Sequence, residues 1–263
     1  MDLLDLTLQE FLIFVLCLLR MAGIVVFAPF FGGEDFPRRA RIGLAALLAL
    51  VVYPHAAATV QGPLQLDWWT LVVLTAREVF VGVVIGYAAS LVFAGAQLAG
   101  ELIGQQLGFA LANVLDPFLE QEVGLISFFK FSFAIVIFLS LDLHLVLLHV
   151  LAGSYLAVGL GASVLRPELL EGVWSMFAGI WEAAVRLGGP VLLIMLLVSV
   201  VVGVLTRTMP QLNIIVIGLP LRTFVGLLAL SMVARPFAEG VATLCRQMIR
   251  DVDTVVQLLG PAG

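Results

Sequence analysis

Apolar residues dominate the chain in long blocks that polar segments interrupt at irregular intervals. The longest blocks cover residues 11–31, 68–95, 123–141 and 173–206. A membrane-spanning helix needs about 20 mainly apolar residues, whereas a strand of a membrane barrel alternates polar and apolar residues over about ten. The sequence shows no such alternation. The pattern therefore predicts an all-α, polytopic membrane protein built of long, broken helical hairpins.

Shorter or interrupted blocks predict irregular helices. The block at 42–53 is short for a span, which favours a re-entrant segment or one half of a broken helix. The apolar stretch 123–165 breaks at Asp142, as in a helical hairpin. The block at 173–206 predicts one long helix that bends near Pro190, because proline removes a backbone donor and clashes with the preceding turn.

The composition agrees with a membrane protein and argues against several other classes. The chain is 62% hydrophobic and only 12% charged, whereas a globular domain is about half apolar and about a quarter charged. A net charge of -5 argues against a nucleic-acid partner, since phosphate binding needs clustered Lys and Arg. Acidic residues precede the first apolar block, whereas a cleavable signal peptide begins with a positive region, so we expect the first helix to be retained.

No catalytic motif is recognisable in the sequence. It contains no glycine-rich phosphate loop, no Gly-x-Ser-x-Gly elbow and no His-Glu-x-x-His motif, and its three histidines and two cysteines lack the spacing of metal ligands. We therefore expect no enzyme, no cofactor and no metal site. A small secondary transporter is an alternative, because that class also has broken helices and intramembrane charges, although its two halves are usually related and these are not.

Polar residues concentrate in residues 97–122, between two apolar blocks. Three polar residues and three glycines each recur there at intervals of four, which places them on two adjoining faces of a helix. Small residues at this spacing let another helix approach closely, and an intramembrane carboxylate faces protein or water. A tightly packed helix lining a wet space and a polar loop end outside the bilayer are equal alternatives. The polar stripe is Gln97, Glu101 and Gln105, and the helix-packing residues are Gly100, Gly104 and Gly108.

The segment 108–117 begins with a glycine and ends in an Asp-Pro turn, a pattern typical of irregular backbone. At membrane depth such a loop must be buried in protein or line a cavity. The alternative is an ordinary surface turn.

Isolated charges fall inside or beside the apolar blocks. They fit an ion pathway, but as a group they favour inter-helix pairs and interface anchors. Two of them, Glu182 and Arg186, are spaced for an ion pair within one helix. The predicted buried charges are Arg20, Arg77, Glu78, Glu182 and Arg186.

The stretch 207–221 resembles the signature of the FliR family of flagellar type III export systems. The residues that carry this signature are Arg207, Pro210, Gln211, Asn213, Gly218 and Pro220. The resemblance extends over essentially the whole chain, including Asn113, Asp116, Pro117, Arg20, Pro29, Arg41, Arg77 and Glu78. Two positions depart from it, since Ile215 and Leu219 stand where the family more often has an aromatic residue.

The resemblance implies a channel subunit of the flagellar type III export gate, in the bacterial inner membrane at the flagellar basal body. The implied partners are FliP-type and FliQ-type gate subunits, FlhB-type and FlhA-type proteins, and unfolded flagellar substrates in transit. Residues 1–263 would form one export-gate domain, with a FliP-like part over about 1–170 and a FliQ-like part over 171–263. The closely similar injectisome systems are an alternative. The implied plug or pore loop comprises Gly108, Phe109, Leu111, Asn113, Val114, Leu115, Asp116 and Pro117.

Overall fold

The computed structural model describes residues 3–28, 31–32, 36–60, 67–109, 124–163, 167–209 and 214–260. Every regular element in these ranges is an α-helix, which confirms the all-α prediction. In chain order the helices are α1 (Leu3–Phe27), α2 (Arg38–Ala57), α3 (Trp68–Leu107), α4 (Leu125–Ser140), α5 (Leu143–Ala157), α6 (Pro167–Thr208), α7 (Ile214–Met232) and α8 (Ala234–Leu259).

Four of these helices are long and apolar enough to cross a membrane: α1, α2, α3 and α6. The pairs α4 with α5 and α7 with α8 each pass the same test as one broken span or a re-entrant loop, which gives up to six spans among the described residues. Helices α3 and α6 contain 40 and 42 residues. At about 1.5 Å per residue each is about 60 Å long, twice the thickness of a bilayer's hydrocarbon core.

Helix α2 corrects the expectation of a half-span at 42–53. It begins at Arg38 and ends at Ala57, so its 20 residues are long enough to cross a membrane. The apolar block alone does not include the first turn of the helix, because that turn is basic. Pro54, which follows the block, lies inside the last turn.

The other two predicted features are the break at Asp142 and the single long helix that contains Pro190. The break at Asp142 is confirmed: this residue has a left-handed backbone (φ 54°) between α4 and α5, a conformation that Asp and Asn tolerate better than most residues. Helix α5 ends at Ala157, short of residue 165. Helix α6 confirms the single long helix, and Pro190 lies inside it.

The chain forms two compact units. Unit 1 consists of Met1–Leu91, Asp142–Phe177 and Arg246–Gly263, and unit 2 of Val92–Leu141 and Ala178–Cys245. Helices α3, α6 and α8 each contribute residues to both units. The predicted division near residue 170 rests on the resemblance to FliP-type and FliQ-type proteins, and it stays a prediction.

Candidate loop-anchoring site and buried ion pair

Gly100 brings α3 and α4 into backbone contact in unit 2. A Cβ atom at Gly100 would lie 2.6 Å from Ser127 Cα and 2.8 Å from the Ile126 carbonyl oxygen. The Ser127 hydroxyl donates a hydrogen bond of 2.9 Å to the Gln97 carbonyl oxygen at the same crossing. The missing side chain at position 100 is therefore what allows this close approach. A Cβ atom at Gly104, one turn later, would lie at an ordinary contact distance of 3.7 Å from Ile126 Cβ.

Gly108 ends α3 with a positive φ of 91°. Its N–H donates to the Gln105 carbonyl at 3.2 Å, and the next N–H, of Phe109, donates to the Gly104 carbonyl at 3.2 Å. These two bonds form a Schellman motif, which satisfies carbonyl groups that the last helical turn leaves without partners. A Cβ atom at Gly108 would collide with the side chain of Leu219, which belongs to the signature segment. The start of the predicted plug loop and the signature therefore meet here.

Helix α7 holds the end of α3 in place. The Thr223 hydroxyl lies 3.1 Å from the Leu107 carbonyl oxygen and 3.0 Å from that of Leu219, so it can donate to either. A Cβ atom at Gly226 would lie 2.7 Å from Leu107 Cγ, so this crossing is also close. Leu107 belongs to an apolar cluster of unit 2 whose buried members are Ile103, Leu107, Ile126, Val191, Met195, Ala229 and Val233.

Both flanks of the predicted plug loop are anchored at this cluster. Phe109 packs against it on the amino-terminal side, and Ile126, two residues after Gly124, is a member on the carboxy-terminal side. The loop residues Leu111, Asn113, Val114, Leu115, Asp116 and Pro117 lie outside the described residues. Their role as a plug therefore stays a prediction.

The polar stripe and the signature are only partly enclosed by the chain itself. Gln97 is half-buried, while Glu101 and Gln105 are exposed. In the signature, Gly218 is buried, Arg207 and Pro220 are exposed, and Pro210, Gln211 and Asn213 lie outside the described residues.

Arg20 and Glu78 form a buried ion pair in unit 1. Both residues have 0% exposure. Arg20 Nε donates to Glu78 Oε2 at 2.7 Å, and Nη2 donates to Oε1 at 3.1 Å, so the pair is bidentate. It joins α1 to α3. Charges in such a setting need full hydrogen bonding, because water cannot solvate them.

The remaining donors of Arg20 bind the end of α5 and the residue after it. Nη1 donates to the carbonyl oxygens of Val158 at 3.1 Å and Ser154 at 3.5 Å, and Nη2 donates to Val158 at 3.1 Å. The guanidinium carbon also lies 4.1 Å from the centre of the Tyr155 ring. All five N–H groups of the guanidinium are thus used, and three helices meet at one side chain.

Glu78 has a further role beside this pair. Its Oε1 accepts a hydrogen bond of 2.8 Å from the Gly161 N–H, and the neighbouring Arg77 donates to the Gly161 carbonyl at 2.8 Å. The two charged residues therefore hold a turn in which Gly161 has a φ of 72°. The amino-acid sequence does not identify the other members of this network, because backbone carbonyl and N–H partners leave no residue-type signal. They are Ser154, Tyr155, Val158 and Gly161.

Glycines allow α1 and α3 to cross closely enough for this network. A Cβ atom at Gly23 would lie 3.1 Å from the Gly82 carbonyl carbon, and one at Gly86 would lie 2.8 Å from the Ile24 carbonyl oxygen. A Cβ atom at Gly82 would collide with the Arg20 carbonyl oxygen. The spacing of Gly82 and Gly86 matches the small-residue spacing of close membrane helix pairs.

Three of the predicted buried charges are exposed in the single chain, so their burial against other subunits stays a prediction. Arg77, Glu182 and Arg186 all lie on outward faces. Glu182 and Arg186 also form no ion pair with each other, the described salt bridges being Arg20–Glu78 and Arg235–Glu239. Spacing along one helix makes a pair possible but does not fix two flexible side chains in it.

Lys130 is buried instead. It is 3% exposed, and its Nζ lies 3.6 Å from the centre of the Phe237 ring, a cation–π contact between α4 and α8 in unit 2. Among the described residues, no group of three or more His, Cys, Asp or Glu side chains is placed to hold a metal ion.

Comparison with known proteins gives a consistent result. Residues 11–248 match the family described as bacterial export proteins, family 1. Flagellar biosynthetic protein FliR of Bacillus subtilis strain 168 is 30% identical over 222 residues, 82% of this chain and 84% of that protein. FliR of Pectobacterium carotovorum subsp. carotovorum is 28% identical over 89% of this chain and 90% of that protein. Yop proteins translocation protein T of Yersinia pestis is 29% identical over 72% of this chain and 73% of that protein.

The family match covers most of the chain, and the relatives match along most of their own length. These similarities agree with the long apolar helices and the signature residues. The chain belongs to the bacterial export proteins, family 1.

Proposed function

We propose that the chain is a non-enzymatic channel subunit of the flagellar type III protein export gate. The observation that carries this proposal, beyond the family, is the apolar surface of α6. Large apolar side chains are exposed along this helix from Trp174 to Leu205. At about 1.5 Å per residue this surface is more than 45 Å long, whereas the hydrocarbon core of a bilayer is about 30 Å thick. Lipid alone cannot cover it, so neighbouring protein subunits must.

The burial within the chain supports the same conclusion. Only 28% of the most apolar window of α6 and 22% of that of α2 is buried, compared with 56% for α3. The corresponding share for α1 is 44%, so three of the four candidate spans are less than half buried within the chain. The neighbours we propose are FliP-type and FliQ-type gate subunits, with FlhB-type and FlhA-type proteins adjoining them. The proposed location is the bacterial inner membrane at the flagellar basal body.

The first test is a pull-down of the tagged chain from its native cells in mild detergent, followed by mass spectrometry. Recovery of FliP-type and FliQ-type proteins in one large complex is the expected result. If the chain is recovered alone or as a homodimer, the export-gate proposal is wrong and a secondary transporter becomes the leading hypothesis.

We also propose that the residues between Phe109 and Gly124 carry the plug of the gate. The anchoring of both flanks at the unit 2 cluster supports this, because a gating loop needs fixed ends. Several residues of the segment are apolar, namely Phe109, Leu111, Val114 and Leu115, and are suited to a hydrophobic constriction.

Deleting residues 111–115 should make the assembled gate permeable to small ions without preventing assembly. The matched control replaces the same five residues by Gly and Ser, which keeps the loop length and removes the apolar side chains. Both variants should leak, as measured by ion flux across membrane vesicles containing the intact complex. Wild-type permeability in both variants would refute the plug assignment.

The injectisome export gate is the second candidate, supported by the similarity to Yop proteins translocation protein T. The flagellar relatives match a larger share of the chain, 82% and 89% against 72%. Deletion of the gene decides between them: loss of swimming motility supports the flagellar gate, and intact motility with loss of effector secretion supports the injectisome.

A further inference from the structure

The exposed surface of α8 in unit 1 is polar. Among the residues of α8, all of which the structure describes, no aromatic or large aliphatic side chain is exposed. The apolar residues Val252, Val255 and Leu259 are instead buried against the chain. The helix therefore has an apolar inner face and a polar outer face. The polar face of α8 consists of Arg246, Gln247, Arg250, Asp253, Thr254 and Gln257.

Helix α7, which precedes α8 in the chain, has the opposite surface. Its exposed residues include the large apolar side chains of Phe224, Leu228 and Met232. Between Met232 and Ala234 the chain bends by 58°. The outer surface thus changes from apolar to polar where the helix direction changes.

We propose that the polar face of α8 lies against water in the assembled complex, and that α8 is not a membrane span. In lipid each of the three charges, on Arg246, Arg250 and Asp253, would be costly. Neither arginine forms an ion pair within the described part of the chain that would lower this cost. Helix α7 has 19 residues, which is long enough to cross the hydrocarbon core without α8.

Two other environments fit this helix less well. The buried core of a protein interface is depleted in charged residues and enriched in aromatic ones, whereas half of the polar face is charged and none of it is aromatic. A helix that lies in the membrane surface inserts its apolar face into the bilayer, but the apolar face of α8 is already buried in the chain. Gln257 donates to the Asp253 carboxylate at 3.1 Å, an i,i+4 contact typical of a solvated helix surface.

The neighbouring elements of unit 1 support an aqueous environment. A Cβ atom at Gly172 would lie 3.5 Å from Leu258 Cδ1, so the end of α8 lies beside the start of α6. Glu168 and Glu171 are exposed at that start, and the exposed Trp174 follows them. Tryptophan is enriched at the boundary between membrane and water. The start of α6 and the end of α8 therefore lie together at one aqueous end of unit 1.

Cysteine labelling in native membranes tests this inference. A maleimide that carries a sulfonate does not enter lipid, and it reacts with the thiolate form of cysteine, which needs water. Arg250→Cys and Thr254→Cys place a thiol on the polar face, and Leu228→Cys places one on the exposed surface of α7. In membranes opened to the reagent on both sides, the two α8 variants should react about tenfold faster or more than the α7 variant. The native Cys17 and Cys245 are both buried, so the unsubstituted chain should give little signal.

A matched control lies on the opposite side of the same helix. Val252→Cys places a thiol on the buried face of α8 and should stay unlabelled. Labelling is measured by mass spectrometry on chain recovered in an assembly of the same size as that of the unsubstituted chain. This selection removes misfolded chain from the measurement.

Two outcomes would overturn the inference. If both α8 variants react as slowly as Leu228→Cys, lipid or another subunit covers the polar face. If Leu228→Cys reacts as fast as they do, the surface of α7 is also in water, and the contrast between the two helices is lost. The inference holds for any membrane assembly of this chain. If the pull-down recovers no gate partners, the proposed function fails, and the labelling rates still decide where α8 lies.

Discussion

Removing the carboxylate of Glu78 should destabilise the chain strongly. In Glu78→Leu the Arg20 guanidinium stays buried but loses two of its five hydrogen bonds, those to Oε2 and Oε1. The three bonds to backbone carbonyls of Ser154 and Val158 remain, and they carry no compensating charge. Gly161 also loses the acceptor of its N–H.

The expected magnitude follows from the burial of both partners. Breaking a buried ion pair by removing one side costs about 3–5 kcal/mol, because an uncompensated charge remains in a medium that cannot solvate it. A loss of about 3 kcal/mol lowers the ratio of folded to unfolded chain more than a hundredfold, since about 1.4 kcal/mol corresponds to tenfold. Against a typical total stability of about 5–15 kcal/mol, this is a large share.

The free energy of unfolding can be measured on the purified chain in mild detergent, by denaturant titration followed by circular dichroism. Glu239→Leu is the matched control, because it removes a carboxylate paired with Arg235 at 3.1 Å whose side chain is 68% exposed. No measurable change is expected there, since exposed pairs contribute little. The double variant Arg20→Leu/Glu78→Leu should be more stable than Glu78→Leu, because no unpaired charge is left. A Glu78→Leu loss no larger than that of the control, or a double variant that loses the sum of both single losses, would refute the reasoning.

Three further outcomes are expected. Lys130 is the only lysine in the sequence and is 3% exposed. An amine-reactive ester should therefore modify its side chain only after the chain unfolds. Rapid modification of Lys130 in the native chain, measured by peptide mass spectrometry, would contradict its burial. Gly100→Ala should lower the melting temperature, because the new methyl group meets the backbone of Ser127, whereas Gly43→Ala, in open space on α2, should not lower it; equal melting temperatures would argue against the close crossing. Gly108→Val should destabilise the chain by about 1 kcal/mol or more and Gly108→Asn by less, because a β-branched residue is strained at a φ of 91°; equal effects of the two would contradict this.

The helices were predictable because hydropathy and turn residues act locally. Asp142 stops a helix through its own backbone conformation, and the long apolar block of α6 needs no partner to be recognised. The bounds of α2 were missed for a related reason, since charged residues at a helix end are compatible with a span although a count of apolar residues excludes them. Local rules thus predict which segments are helical better than where each helix begins.

The contacts of the sites were predictable only in part. The four-residue spacing of Gly100 and Gly104 indicated a close helix pair, but not that α4 is the neighbour. Isolated charges in apolar helices indicated pairing, and Arg20 with Glu78 forms such a pair over 58 positions of sequence. Nothing in the spacing distinguished these residues from Glu182 and Arg186. Burial depends on which face of the helix meets another helix, which is a property of the tertiary structure.

The difference in burial between the Arg20–Glu78 pair and the exposed residues Glu182 and Arg186 bears on how the chain assembles with other subunits. Between helices in a bilayer the hydrophobic effect gives little attraction, so close glycine crossings and satisfied polar groups must supply it. Arg20 and Glu78 satisfy each other within unit 1, so they stabilise the chain by itself. Glu182 and Arg186 lie exposed on α6 beside Trp181 and Val185. Charges on a helix with such an apolar surface are costly in lipid, and we therefore expect their partners on the subunits that we propose to cover α6.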